Sequence, residues 1–235
     1  MKKLIIAIAT CMIFGMADAQ DRRQMGGIYH AYPYASKADN LVDDIPEGYT
    51  PFYLSHYGRH GSRWMTNDER YEWLYSYFAD RKNLTPLGRK VEKAMRKVLD
   101  NARGNGGRLS RLGAIQHEGI ARRMYSRLPQ IFAPGNRVKA RASVVDRCVK
   151  SMQAFTAMMQ SLQPALEMDI AADSADMAWI AYTAPEVKEL EKSLNIVART
   201  NPERFMAQLF KDPSRVAEHM RFMSEMQAVT SSLQD

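Results

Sequence analysis

Residues 51–64 read PFYLSHYGRHGSRW, an apolar, β-prone run that leads directly into a cluster of cationic side chains. In that cluster His60 stands between Arg59 and Arg63, and Gly61 follows the histidine. Two guanidiniums can hold the oxygens of an anion, and a neutral imidazole can attack phosphorus. Glycine has no Cβ, so its backbone can approach a ligand closely. The stretch therefore predicts a central strand over residues 51–55 that ends in a phosphate site with a candidate nucleophile.

A second motif lies downstream, where VKARAS at 138–143 leads into DRCVKSMQAF at 146–155. Weak apolar–polar alternation over 137–143 predicts a strand, and helical spacing of apolar residues predicts a helix over about 145–162. The order of strand, helices, strand and helix is typical of an α/β sheet with crossover connections.

Both motifs resemble those of the histidine phosphatase superfamily, in its acid phosphatase and phytase branch. Within that branch the chain resembles the bacterial relatives of multiple inositol polyphosphate phosphatase, and the likeness extends over residues 28–180. The LSRLG stretch at 109–113 also fits the family pattern. The resemblance implies an α/β fold of a phosphoglycerate-mutase-like sheet core flanked by helices, with a helical cap domain.

The resemblance also implies roles for single residues. His60 would be the nucleophile that forms a phosphohistidine, and Arg59, Arg63 and Arg147 would hold the phosphoryl group. Bidentate hydrogen bonds of this kind require the planar fork of arginine, which lysine does not reproduce. Arg141 is a weaker candidate, suited to the strand surface or to the rim of a substrate site.

Neither a metal nor a cofactor is predicted. His56 and His60 have His-x3-His spacing, which on a helix would suit zinc. Gly58, Gly61 and the β-prone run before them argue against a helix there, and no third ligand stands nearby. Solvent-facing or capping roles are the default for the three remaining histidines, which are His30, His117 and His219.

One part of the family pattern is not found in the printed sequence. Family members carry a second histidine and an acid in a His-Ala-Glu or His-Asp motif toward the C-terminus, and this acid protonates the leaving oxygen. His117-Glu118 lies in the wrong half of the chain, and no acid follows His219. We expect the chain to be an N-terminal fragment with the C-terminal part missing. Because general acid assistance contributes about 10²–10⁴-fold, the chain alone is expected to be a poor catalyst.

The N-terminus has the features of a signal peptide over residues 1–19. Lys2 and Lys3 precede an apolar run that is too short for a stable membrane anchor, and Ala17-Asp18-Ala19 forms a small-x-small cleavage site. We expect export to the periplasm or beyond, with no stable membrane span after cleavage, and a lipoprotein is the less favoured interpretation. Cleavage would leave Cys148 as the one cysteine, which excludes an internal disulfide.

The formal net charge is +7, and removal of residues 1–19 would leave +6. A basic protein attracts polyanions, and a phosphorylated small molecule suits an exported chain better than nucleic acid does. No aromatic–basic repeat typical of single-strand binders is found. The oligomeric state is not indicated.

The predicted organisation has three parts: the signal peptide at 1–19, the N-terminal part of the core at 20–170, and the start of a helical cap at 171–235. Within the core, Thr85-Pro86 predicts one helix start and Ser110 or a neighbour predicts a second, because each combines a capping side chain with helical spacing downstream. Beyond residue 177, three prolines mark the starts of helical segments; they are Pro185, Pro202 and Pro213.

The function predicted from the sequence is that of an exported histidine acid phosphatase. It would hydrolyse phosphate esters, such as the inositol polyphosphate phytate or bisphosphoglycerate. The alternative from another class is a non-catalytic phosphate-ligand-binding half-domain, or a degenerate phosphatase. A mutase of the same superfamily is less favoured, because mutases are mostly cytosolic.

Overall fold

The computed structural model describes residue 32 and residues 45–180, 183–193 and 201–232. The predicted signal peptide lies outside these residues. Eight α-helices and two strands are assigned within them: α1 Glu69–Ser76, α2 Pro86–Ala102, α3 Arg111–Arg127, β1 Arg137–Arg141, α4 Asp146–Leu162, β2 Glu167–Ala171, α5 Met177–Ile180, α6 Pro185–Ser193, α7 Pro202–Leu209 and α8 His219–Ser232. Short 3₁₀ turns at Ser174–Asp176 and Pro213–Arg215 complete the described elements. In this part of the chain no helix has the length and apolar character needed to cross a membrane.

The predicted helix starts are confirmed by their capping hydrogen bonds. The hydroxyl of Thr85 accepts from the backbone N–H of Gly88 at 3.0 Å, and Pro86 opens α2. Likewise the hydroxyl of Ser110 accepts from Gly113 N at 3.1 Å and opens α3. Each cap satisfies one of the N–H groups that the first helical turn leaves without a backbone partner.

The predicted α/β character is confirmed by the β1–α4–β2 unit. The two strands pair in parallel, with Lys139 opposite Asp169, and α4 forms the crossover between them. Asp169 accepts from Arg137 and Arg141, both at 2.9 Å, so one carboxylate joins two cations of the neighbouring strand. No strand was predicted from the sequence over the residues of β2.

The prediction of a strand over residues 51–55 is wrong. These residues have no strand assignment, and the side chains of Phe52 and Tyr53 are 94% and 74% exposed. Tyr53 and Ala140, a residue of β1, both line a cavity of 510 Å³. Residues 51–55 have no strand ladder with β1, whose strand partner among the described residues is β2.

Two apolar clusters hold the described residues together. The larger one is formed by α1, α2, α7, α8 and the loops between them, and its largest fully buried side chains are Tyr71, Leu74, Phe78, Leu84, Met206, Phe210 and Phe222. The smaller one lies between α3, α4 and the strands and comprises Ala121, Phe132, Met159 and Leu166. The second cluster supports the helices that position the candidate site.

We expect a Glu92→Gln variant to be less stable than the wild type at neutral pH, and this difference to narrow in acid. The buried Glu92 carboxylate accepts from Arg96 at 2.6 Å and from the Tyr75 hydroxyl at 2.8 Å. These hydrogen bonds hold the pKa of Glu92 below its ordinary 4.5. A depressed folded-state pKa gives stability that is present above the unfolded value and is lost as the pH falls through the folded one.

Urea denaturation of both proteins between pH 7 and pH 3 measures this difference. The amide that replaces the carboxyl group in Glu92→Gln cannot ionise, so the curve of the variant lacks the acid-linked loss that Glu92 contributes. The exposed Glu47 provides the control, and a Glu47→Gln variant should follow the wild type throughout. A constant gap between Glu92→Gln and the wild type across the range would contradict the ionic role.

Candidate active site

The loop that carries the RHG motif is fastened to the start of α3. The carbonyl of Ser62 accepts from both the backbone N–H and the hydroxyl of Ser110, each at 2.9 Å. The N–H of Ser62 donates to Oε1 of the buried Gln116 at 2.8 Å. Loop and helix are thus joined by three hydrogen bonds at Ser62, two residues after His60, which restrains the loop that carries this histidine.

Gly61 serves a purpose different from the predicted one. A Cβ on Gly61 would lie 2.3 Å from the carbonyl oxygen of Gly113, and a Cβ on Gly113 would lie 2.2 Å from that of Ser62. The two glycines therefore let the loop backbone contact the first turn of α3. The prediction that Gly61 makes room for a ligand is not supported, because the space its Cβ would fill is occupied by the helix.

His60 is oriented by its own neighbour in the sequence. Its Nδ1 lies 2.8 Å from the carbonyl oxygen of Gly61. A carbonyl can only accept, so Nδ1 must carry the proton, and in the neutral ring Nε2 then holds the lone pair. The half-buried ring also lines the 510 Å³ cavity. This geometry fixes the tautomer and leaves on Nε2 the lone pair that a nucleophile requires.

The surroundings of His60 favour its neutral form. Burial lowers the pKa of His60 below its ordinary value, and the positive charges of Arg147, Arg59 and Arg63 lower it further. The hydrogen bond to Gly61 acts in the opposite direction, but the net shift is downward. An imidazole that stays neutral at lower pH is available as a nucleophile over a wider range.

The charges of Arg59, Arg63 and Arg147 all act on His60. Burial lowers the pKa of Arg63, and the charges of Arg147 and Arg59 add to this. Nε of Arg63 and Nε of Arg147 are buried and have no hydrogen-bond partner among the described residues. Arg59 is exposed and lines the cavity with His60. Three cations held this close would be stabilised by an anion among them.

The cavity is lined by residues 52–54 and 136–143, and α4 forms part of its wall. Arg63 and Arg147 are not among its lining residues. Arg141, the weaker candidate, does line it, and its guanidinium is paired with Asp169 at 2.9 Å and Asp176 at 3.4 Å. Lys139 is an exposed cation on the same wall.

His117 departs from its predicted solvent-facing or capping role. It is only 8% exposed, lines the cavity, and hydrogen-bonds the backbone carbonyl of Arg59. The phase of α3 carries the signal for this position, because its buried residues are Leu112, Gly113, Gln116, His117 and Ala121. His56 also lines the cavity and stacks on Phe155 with ring centroids 6.4 Å apart.

His219 pairs with Glu203 of α7 through Nδ1 at 2.5 Å, and His30 lies outside the described residues. Nε2 of His219 hydrogen-bonds the carbonyls of Pro213 and Val216 at 3.0 and 2.8 Å. Over the described ranges, no group of three or more His, Cys, Asp or Glu side chains is arranged to hold a metal ion. Cys148 is partly buried and contributes to the cavity wall.

Comparison with protein-family models matches residues 58–233 to the histidine phosphatase superfamily, branch 2. The chain belongs to this superfamily. The match begins at the RHG loop and includes every element from α1 to α8, so the family assignment covers the site and both apolar clusters.

Solved structures give the fold a parallel. The Bifidobacterium longum multiple inositol polyphosphate phosphatase in complex with phosphate is 17% identical, with a TM-score of 0.51 over 83% of this chain and 48% of that one. The same enzyme in complex with inositol hexasulfate is 21% identical, with a TM-score of 0.43 over 57% of this chain and 29% of that one. The chain spans less than half the length of either. No curated protein matches it significantly.

Proposed function

We propose that the protein is a phosphomonoesterase that transfers a phosphoryl group from a phosphate ester to Nε2 of His60. The observation that carries the proposal is the hydrogen bond from Nδ1 of His60 to the Gly61 carbonyl, with three guanidinium charges acting on the same ring. This bond leaves the Nε2 lone pair for the substrate, and the arginines supply positive charge where the phosphoryl oxygens would lie. Membership of the superfamily supports the proposal.

The reaction has two steps in this scheme. In the first, the lone pair of Nε2 forms a bond to phosphorus, while the ester P–O bond breaks and its electrons leave with the alcohol oxygen. That oxygen takes a proton from an acid or from water. In the second, water attacks the phosphohistidine, the P–N bond breaks, and inorganic phosphate leaves. Arg59, Arg63 and Arg147 would hold the phosphoryl oxygens through both steps.

Inositol polyphosphates are the proposed substrates. Beyond the arginines assigned to the reacting group, the cavity wall carries Lys139 and also Arg137, which pairs with Asp169, so a ligand with several phosphates would meet further cations. A formal charge of +7 favours polyanions in the same way. The matched Bifidobacterium longum enzyme is named for inositol polyphosphates, which adds support. Export by the signal peptide at 1–19 is part of this proposal.

A trapping experiment with p-nitrophenyl [³²P]phosphate tests the proposed function. Its leaving group is a stabilised phenolate, so the first step needs no strong proton donor. We expect rapid mixing and alkaline denaturation to leave a base-stable, acid-labile label, and peptide mapping to place it on His60. Release of phosphate from inositol hexakisphosphate, which has alkoxide leaving groups, is expected to be slower.

The same experiment distinguishes the phosphatase from a non-catalytic phosphate-binding half-domain. A half-domain would bind inositol hexakisphosphate in calorimetry yet give neither labelled protein nor free phosphate. A label on another residue, with His60 unmodified, would reject the assigned nucleophile.

A further inference from the structure

Ser151 lies on α4, one turn after Arg147, and its hydroxyl makes two hydrogen bonds. It accepts from the backbone N–H of Gly61 at 3.1 Å and donates to the carbonyl of Arg147 at 2.7 Å. Ser151 is buried, with 3% of its surface exposed to solvent. Since a hydroxyl has one hydrogen, the donation to Arg147 turns its lone pairs toward the loop.

These hydrogen bonds form a continuous chain from His60 to the backbone of Arg147. Nδ1 of His60 bonds the Gly61 carbonyl, the Gly61 N–H bonds Ser151, and Ser151 bonds Arg147. Gln116 and Ser110 also hold the loop, but they connect Ser62 to α3. Ser151 differs because it connects the loop of the candidate nucleophile to the helical turn of a candidate phosphate-binding arginine.

Hydrogen bonding within α4 explains only one of the two hydrogen bonds of the Ser151 hydroxyl. Serine and threonine in helices often donate to the carbonyl four residues earlier. Thr156 on the same helix does so, with its hydroxyl 2.9 Å from Met152 O, and it is equally buried. Among the described residues, Thr156 makes a further hydrogen bond to Gln153 O and none to the RHG loop. The hydrogen bond from Gly61 is therefore what distinguishes Ser151.

We propose that Ser151 is a positioning residue that sets the distance and orientation of His60 relative to Arg147. The proposal rests on the proposed function, in which Nε2 of His60 must reach phosphorus while Arg147 holds the phosphoryl oxygens. Removal of the hydroxyl leaves the Gly61 N–H without its acceptor and frees the His60–Gly61 peptide from α4. Small misplacements of a reacting group lower rates strongly, because attack requires near alignment.

The test compares Ser151→Ala and Ser151→Thr with the control Thr156→Ala, all in the full chain. Phosphate release from p-nitrophenyl phosphate gives kcat and KM, and ¹⁵N-histidine NMR gives the pKa of His60. We expect Ser151→Ala to lower kcat about 10-fold, as loss of an orienting partner does. The His60 pKa should rise toward its ordinary value, because the ring loses part of its burial. Ser151→Thr keeps the hydroxyl and should recover most of the kcat.

The control variant, together with kcat and the His60 pKa, distinguishes a positioning role from a purely structural one. Thr156→Ala removes an equally buried hydroxyl from α4, so it should leave both kcat and the His60 pKa close to wild type. Equal effects of Ser151→Ala and Thr156→Ala would overturn the positioning role. If Ser151→Ala fails to fold, Ser151→Cys keeps the side-chain size with a weaker hydrogen-bonding group, and an unchanged kcat and His60 pKa there would overturn it too.

Failure of the proposed function would be recognised separately. A wild-type protein that releases no phosphate and forms no phosphohistidine would reject the function. The pKa of His60 is measured without turnover, so a shift in Ser151→Ala that is absent in Thr156→Ala would still support positioning, and its absence would overturn it.

Discussion

Replacing His60 with alanine is expected to lower phosphate release from p-nitrophenyl phosphate by at least about 10³-fold, because loss of a covalent nucleophile removes the reaction path itself. Binding of inositol hexakisphosphate should change little, since Arg59, Arg63 and Arg147 would supply most of the attraction for the anion. The variant also removes one ring and its hydrogen bond to Gly61 without altering the backbone hydrogen bonds of Ser62. We therefore expect kcat to fall and affinity to persist.

His56→Ala is the matched control for this prediction. His56 lines the same cavity, four residues earlier in the chain, and its ring stacks on Phe155. Its removal should affect kcat much less, because the Nδ1 bond that orients His60 remains. Stopped-flow turnover gives kcat, and calorimetry with inositol hexakisphosphate gives affinity. Wild-type turnover in His60→Ala, or equal loss in both variants, would contradict the nucleophile assignment.

Helix boundaries could be predicted from the sequence because their causes are local. A capping hydroxyl at Thr85 or Ser110 acts on an N–H three residues away, so the residue type and spacing suffice to locate the helix start. The β1–α4–β2 unit followed in part from the same logic. Its second strand was missed, because five residues with mixed exposure carry too weak an alternation to identify a strand.

The segment at residues 51–55 shows where local pattern fails. Its residues favour a strand, but a strand is stable only when a neighbour supplies the ladder hydrogen bonds. In the described structure residues 51–55 have no strand partner, and Phe52 is exposed. β-propensity describes the backbone conformation that a residue prefers locally. Strand pairing depends in addition on residues that are distant in the sequence.

The sequence named His60 and its three arginines as candidates, because a contiguous motif carries three of the four residues. His117 and Ser151 were not predicted as part of it. Each lies on a different helix, and each reaches the loop through a tertiary hydrogen bond to the backbone of Arg59 or Gly61. Because nearly every residue type carries a backbone N–H and C=O, the sequence does not indicate which backbone group a side chain will bond. Such hydrogen bonds are identified only in the folded structure.

Gly61→Ala is expected to lower both stability and activity. The new Cβ would lie 2.3 Å from Gly113 O and 2.6 Å from Gly113 Cα, so the loop must move away from α3. Overpacking of this kind costs about 1–3 kcal/mol. A displaced loop carries His60 with it, and a shift of about 1 Å can lower turnover by about 10²-fold. Urea denaturation and kcat for p-nitrophenyl phosphate measure the two effects.

Gly58→Ala separates this steric cause from a general sensitivity of the loop. A Cβ at Gly58 would lie 2.7 Å from Nε2 of His56, the far end of a side chain that can rotate away. Gly58→Ala should therefore retain most of its stability and turnover. If Gly61 instead provided space for a ligand, Gly61→Ala would unfold at the wild-type urea concentration and lose affinity alone. Loss of stability together with kcat is the outcome that the contact with Gly113 requires, because one displacement breaks the packing and moves the nucleophile.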